Sequence, residues 1–471
     1  SQPCAYESHM MEPSSPASSS APVSTPTTAV YTIGRDVNGE SGRGTDADAN
    51  TDTSEASALH SDPRCVNSLP AAQIASVGAG LYHCFAVTAT GELYSWGANS
   101  GGQLGTGASN SGGAARSTAR GAASRRTSSS APTLVSGLQT PQPEPVALAT
   151  GGRNHSLALT STHRLYCWGR PTHGQLGLAS RAASGAVAGG GRSARGVYDV
   201  LDPRLLRALE HDGVAAVAAG EGFSLALTPA GTVHAWGRHA SGRLGLPGWL
   251  SSSVDAPLPL PARAFGGRPV RTIAAGWRHA LAVTASGALY SWGAGGHGQL
   301  GVGGTADLPA PTAVESLTKE VVLHVAAGGA HSLAATREGL VYAWGERSSG
   351  QLGLPATAAA ACCTRPEGVA ALLDGPPITQ LACGAAHSAF LGSDGRLFTA
   401  GDDSYGQLGH APPSDDDDGA DPAAWGRKPV ALPAGARVRQ VACGAYHTVL
   451  LVEAPEEPGA IRSVPLTPRV D

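Results

Sequence analysis

Lysine is almost missing from this chain. Lys319 and Lys428 are the only two in 471 residues, so nearly every basic side chain is arginine, the better donor for two-pronged contacts. Charged residues are 14% of the total, against about 25% in an ordinary soluble domain. The formal charge is −4, which excludes a generally basic nucleic-acid binder. Because the sequence lacks an uninterrupted apolar run of about 18 residues, no transmembrane helix is expected. Eight cysteines are present (4, 65, 84, 167, 362, 363, 383 and 443), but no CxxC pair, so neither a disulfide framework nor a zinc site is indicated. Thiols inside apolar runs behave as small hydrophobes. They suit a reducing intracellular compartment, the cytoplasm first; nucleus or organelle stays open, since a segment ahead of Ser1 could carry a signal. GxSxG, HExxH and Walker-type phosphate loops are also missing, so no enzyme, cofactor or metal is expected.

What is abundant is Gly (64) and Pro (34), with eight Trp in a chain only 5% aromatic. That composition suits many turns and argues against a helical bundle. Its order is repetitive. One half-unit is an apolar strand followed by Gly, two variable residues and usually His: LATGGRNH to His155, IAAGWRH to His279, VACGAYH to His447. The other is a strand ending in Trp-Gly and a loop ending GQLG: LYSWGANSGGQLG, LYCWGRPTHGQLG, VHAWGRHASGRLG. Seven copies of each occur, counting a worn VYTIGRDVNGESG from Val30 to Gly42, and the loop's first Gly stands six positions after the Trp position every time. Such periodicity marks a repeat architecture. The unpaired halves sit at opposite ends of the chain. The reading is therefore an all-β fold, a seven-bladed β-propeller of four-stranded blades, closed by pairing the strand near Val30–Ile33 with that near His447–Leu451. Closure removes the edges that invite aggregation, and a monomer is expected. In the second unit the strands are expected at Val146–Thr150, His155–Thr160, Leu165–Trp168 and near Val197–Val200.

The domain layout follows. Residues 1–28 form a Ser/Pro/Thr/Ala-rich tail, 29–453 the propeller and 454–471 a C-terminal tail. Low-complexity inserts are expected at 108–131, 179–196 and 411–427, where composition cannot bury enough surface to fold alone. The first holds Arg125-Arg126-Thr127-Ser128, read as linker. Asp415 to Asp418 in the third lack the spacing of a calcium loop and read as a solvated charge run.

These units resemble repeats of the regulator of chromosome condensation family. The resemblance covers nearly everything beyond residue 29 and implies the seven-bladed ring. It also implies a choice of functions, since the family includes an exchange factor, an ultraviolet-B receptor and scaffold-like members, and fold alone does not decide among them. The repeated Gly, Trp and Leu read as packing. The repeated His read as packed side chains bonded to backbone, because one per blade on a circle cannot converge on a metal. Individuality lies in the two positions after each GxxH glycine. There the candidate partner-binding residues are Tyr82, Arg153, Asn154, Glu221, Trp277, Arg278 and Tyr446, with Trp277-Arg278 the sharpest pair because Trp, Tyr and Arg dominate hot spots. GWRH resembles the ultraviolet receptor's repeated signature but occurs once, so photoreception is rejected. The expected function is a protein–protein interaction scaffold; the alternative is a guanine-nucleotide exchange factor for a small GTPase. Against the alternative, no Trp-Gly loop is lengthened into a wedge, and Glu221 is the only acidic residue among the fourteen turn positions. Direct nucleic-acid binding is not expected.

Overall fold

The computed structural model describes residues 28–43, 62–70, 73–107, 128–139, 143–179, 199–246, 252–355, 361–410 and 429–453. Their strands form seven antiparallel sheets arranged as the blades of one ring. Blade 1 runs from Ile74 to Leu134, blade 2 from Val146 to Leu205, blade 3 from Ala216 to Pro259, blade 4 from Val270 to Ala313, blade 5 from Val322 to Gly368, and blade 6 from Ile378 to Gly401. Blade 7 is composite: Arg437–Cys443 pairs with His447–Glu453, which pairs with Thr28–Gly34, which pairs with Arg64–Cys65. The closing register runs without a break from Thr28 opposite Glu453 to Gly34 opposite His447.

Six blades show four strands, and blade 6 shows three among the described residues. A recurring backbone bond marks where each outer strand ends: Val135 N–H to Leu93 O, Leu206 to Leu165, Leu260 to Val233, Val314 to Leu289, Val369 to Val341. Val430 N–H reaches Leu397 O at 2.8 Å in the same way. The stretch before Val430, which contains the 411–427 insert, lies outside the described residues. The tails and most of the inserts at 108–131 and 179–196 also lie outside them. Two boundaries differ from expectation. An outer strand begins at Ser128, inside the stretch read as the first insert, and that of blade 2 is Val200–Leu205, further along than the sequence suggested. Both strands carry a proline (Pro132, Pro203), which the outer, one-sided position tolerates.

Chain direction decides what lies on each face. The GxxH turn joins the first and second strands, and the Trp-Gly loop joins the third and fourth. In an antiparallel sheet both connections fall at the same end, so all fourteen form one rim around one mouth of the channel. Among the described residues no helix is long and apolar enough to cross a membrane.

Candidate functional site

The repeated residues are consumed in holding blades together. At the junction of blades 1 and 2, the Gln103 carbonyl accepts Trp168 Nε1–H at 2.8 Å and Ser156 Oγ–H at 2.6 Å. Ser156 Oγ in turn accepts from His83 Nε2 at 2.9 Å. Because Ser156 spends its proton on Gln103, His83 must carry its own on Nε2. The same chain links His155 to Ser224, His279 to Ser332, His331 to Ser388, His387 to Thr448 and His447 to Cys84. The histidines thus bond to side chains of the next blade, a correction to the backbone bonding expected from sequence. Burial strips their hydration and pushes the pKa of His83, His279, His331 and His387 down to about 3, and those of His155 and His447 to about 4. They are neutral struts. Trp96, Trp168, Trp236, Trp292 and Trp344 are fully buried, and every indole N–H finds a carbonyl of the preceding blade. The last glycine of each loop permits this: a Cβ on Gly105 would stand 2.5 Å from Trp168 Nε1.

The junction of blades 3 and 4 is built differently. Phe223 replaces His, Ala280 replaces the Ser it would bond, and Arg243 replaces the loop Gln. The Arg243 carbonyl still accepts Trp292 Nε1–H at 3.0 Å. Its guanidinium is buried, donating to Ala240 O at 2.8 Å and to Glu221 O at 3.0 Å. Burial, with Arg238 and Arg278 nearby, lowers its pKa to about 10.

Directly above this junction the rim is charged. Arg153 Nη1 donates to Glu221 Oε1 at 3.0 Å, and Arg278 Nε to Oε2 at 3.1 Å. The Glu221 side chain is 13% exposed while Arg153 and Arg278 are 54% and 57% exposed, so one sheltered carboxylate is gripped by two guanidinium groups that face outward. Burial alone would raise the Glu221 carboxyl; the hydrogen bonds and charges of Arg278 and Arg153 outweigh it and hold the group below its usual range. Tyr82 and Tyr446 have ring centres 6.3 Å apart, and Tyr405 stands 5.0 Å from Tyr446. Arg35 lies over both Tyr405 and Tyr446, at 5.2 and 5.5 Å.

The structure divides the seven residues singled out in the sequence. Arg153, Glu221 and Arg278 form one cluster, Tyr82 and Tyr446 a second, and Asn154 lines both rim cavities described below. Trp277 is half-buried and lines a separate channel cavity of about 120 Å³ with Leu81, Ala445 and small residues of all seven inner strands. Its backbone is part of a belt around the channel: Glu221 N–H to Trp277 O, Trp277 N–H to Gly328 O, then Gly329 to Gly384, Ala385 to Ala445 and Ala445 to Leu81.

Sequence reasoning missed a third variable rim position, the residue after each Trp-Gly glycine. In all seven blades its N–H bonds the carbonyl of the second turn residue: Arg35 to Tyr446, Ala98 to Tyr82, Arg170 to Asn154, Arg238 to Gly222, Ala294 to Arg278, Glu346 to Ala330, Asp402 to Ala386. The fixed spacing of the two half-units was the available signal. Including it polarises the rim, with arginines on blades 7, 2, 3 and 4 and acidic residues on blades 5 and 6. Among the described residues no group of three His, Cys, Asp or Glu could hold a metal ion.

Fold and motif together define a propeller of the regulator of chromosome condensation type, and the chain belongs to that family: the RCC1-like domain matches residues 191–456, and the RCC1 repeat matches 74–103, 146–175 and 90–159. The human E3 ubiquitin-protein ligase HERC2 is 34% identical over 78% of this chain, which spans 7% of that ligase's length. The ultraviolet-B receptor UVR8 of Arabidopsis thaliana is 30% identical over 82% of this chain and 76% of its own. Among solved structures, human WBSCR16 superimposes with a TM-score of 0.71 at 23% identity, covering 91% of this chain and 99% of that one. Yeast RCC1 (Prp20), solved bound to Kap60, gives 0.72 at 23% identity over 92% and 90%. At that identity the likeness concerns fold.

Proposed function

We propose that this propeller is a non-catalytic protein-interaction scaffold that binds its partner on the rim formed by the GxxH turns and the loops after Trp-Gly. The observation carrying this reading is the division of labour among side chains. Repeated polar groups are spent between blades, whereas Arg153, Arg278, Tyr82 and Tyr446 reach the surface at one mouth of the ring. The site above the blade 3–4 junction coincides with three departures from the repeat, at Phe223, Arg243 and Ala280. Local rules are broken chiefly where function asks for it. The unbroken pairing of Thr28–Gly34 with His447–Glu453 supports a monomer, and the free thiols of the seven described cysteines support a reducing compartment.

Nucleotide exchange on a small GTPase is the competing reading. One solved relative in fold, yeast Prp20p, binds Gsp1p and histones. The stretch from Trp-Gly to GQLG keeps one length in every blade, so that stretch supplies no wedge. Release of labelled GDP from a panel of small GTPases decides between the two. The scaffold reading expects the spontaneous rate with each of them; acceleration of any one would replace it with exchange.

A further inference from the structure

Two cavities adjoin on the rim of blades 7, 1, 2 and 3. One, of about 260 Å³, is lined by Arg153, Arg170, Glu221 and Arg238 among others. The next, of about 380 Å³, is lined by Arg35, Tyr82, Arg153 and Arg170. They share Arg153, Asn154 and Arg170, so they form neighbouring compartments of one trough. Four arginines point their charge at it, and Arg278 flanks its end through Glu221. The carboxylates paired to these arginines are Glu221 and, behind Arg170, Asp199 at 3.5 Å. Arg35 carries a buried Nε with no partner among the described residues. Cations are thus concentrated here on a chain whose overall charge is negative.

We propose that this trough binds an acidic, extended peptide segment of a partner protein. The inference rests on the interaction-module reading and adds the chemistry of what is bound. Glu221 shows the chemistry in miniature, since its single carboxylate accepts one hydrogen bond from each of two arginines. Arginine matches carboxylates with planar paired donors and holds charge at any physiological pH. The two compartments suit successive carboxylate side chains, and Tyr82 supplies a flat apolar wall in the larger one. Nucleic acid fits less well: its phosphates would need a longer basic track, and past the arc the rim turns acidic at Glu346 and Asp402.

The test uses the full chain and a fluorescein-labelled peptide of about twelve residues, half of them Asp or Glu, read by fluorescence polarisation. A control peptide carries Asn and Gln instead. Saturable binding of the acidic peptide alone is expected, weakening with salt. The charge-reversed Arg153→Glu, Arg238→Glu variant should lose about tenfold or more in affinity with an unchanged melting temperature. An Arg271→Glu variant, outside the trough, should bind as the parent does. Equal binding by the trough variant, absence of binding, or tighter binding of a single-stranded oligonucleotide of equal charge would each overturn the assignment. A purified partner still captured, with capture untouched by excess acidic peptide, would overturn this inference while leaving the interaction module standing. Loss of capture in Trp277→Ala alone would point to the channel instead.

Discussion

The junctions between blades 1 and 2 and between blades 3 and 4 solve one packing problem with different chemistry. In the first, a neutral His, a Ser and a Gln carbonyl form a closed chain beneath a buried Trp. In the second, Phe223 and Ala280 delete the polar chain as a pair, and the Gln is exchanged for a buried Arg243 that reaches up to the backbone of Glu221. A half-deleted chain would leave a hydroxyl unsatisfied, which costs more than deleting both partners. The first kind of junction holds the ring shut. The second does so as well and also supports the charged cluster on its rim. A repeat protein thus acquires an individual surface where a seam departs from the packing rule.

The severest way to break this comparison is to open the ring before any seam can act. Deleting residues 1–44 removes the strand Thr28–Gly34, which pairs with His447–Glu453 along its whole length. Both Val449 and Leu450 of the partner strand are fully buried. The shortened protein should aggregate, or melt far below the parent, because the exposed strand edge is left unpaired. An unchanged melt would contradict closure.

Acid separates the two kinds of junction by charge. The six bridging histidines have folded pKa values of about 3 to 4, below the unfolded value of about 6.5, so the unfolded chain takes up the extra protons. Stability is complete above about pH 6.5 and is lost as pH falls toward 3 to 4. At pH 5 each ring costs about 2 kcal/mol, and six together approach the total stability of a typical domain. Thermal melts at neutral pH and near pH 5 should differ by tens of degrees; a flat profile over that range would mean the histidines are not buried neutral.

One seam can also be converted into the other. His279→Phe leaves Ser332 Oγ without its donor and should cost about 2 to 3 kcal/mol in denaturant unfolding. Adding Ser332→Ala recreates the Phe223–Ala280 pairing and should recover at least half of that loss. Additive costs would show that the two residues are not coupled.

Much of this architecture is legible in the sequence because the determinants are local and repeated. The constant spacing from Trp to loop glycine places strand ends, and the split repeat announces the composite blade. The rim is less legible. GxxH points at Arg153, Glu221 and Arg278 but says nothing of the bond from the residue after Trp-Gly, so Arg35, Arg170 and Arg238 go unnoticed. Trp277 reads as a companion of Arg278, yet successive residues on a tight turn diverge, one into the channel and one across the rim. Partners across a seam, such as His83 and Ser156, are 73 positions apart, and no local pattern states which atom accepts from which.

The central claim is that side chains outside the repeat bind and those inside it hold the ring. Its most direct measurement is the Tyr82→Ala, Arg278→Ala double variant, assayed for partner capture and thermal melt side by side. Both residues keep their backbone bonds on the rim, and Arg153 still pairs Glu221. The account predicts a melt within a few degrees of the parent and binding weaker by about 2 kcal/mol or more. Full partner capture with a normal melt, or a collapsed melt, would contradict it.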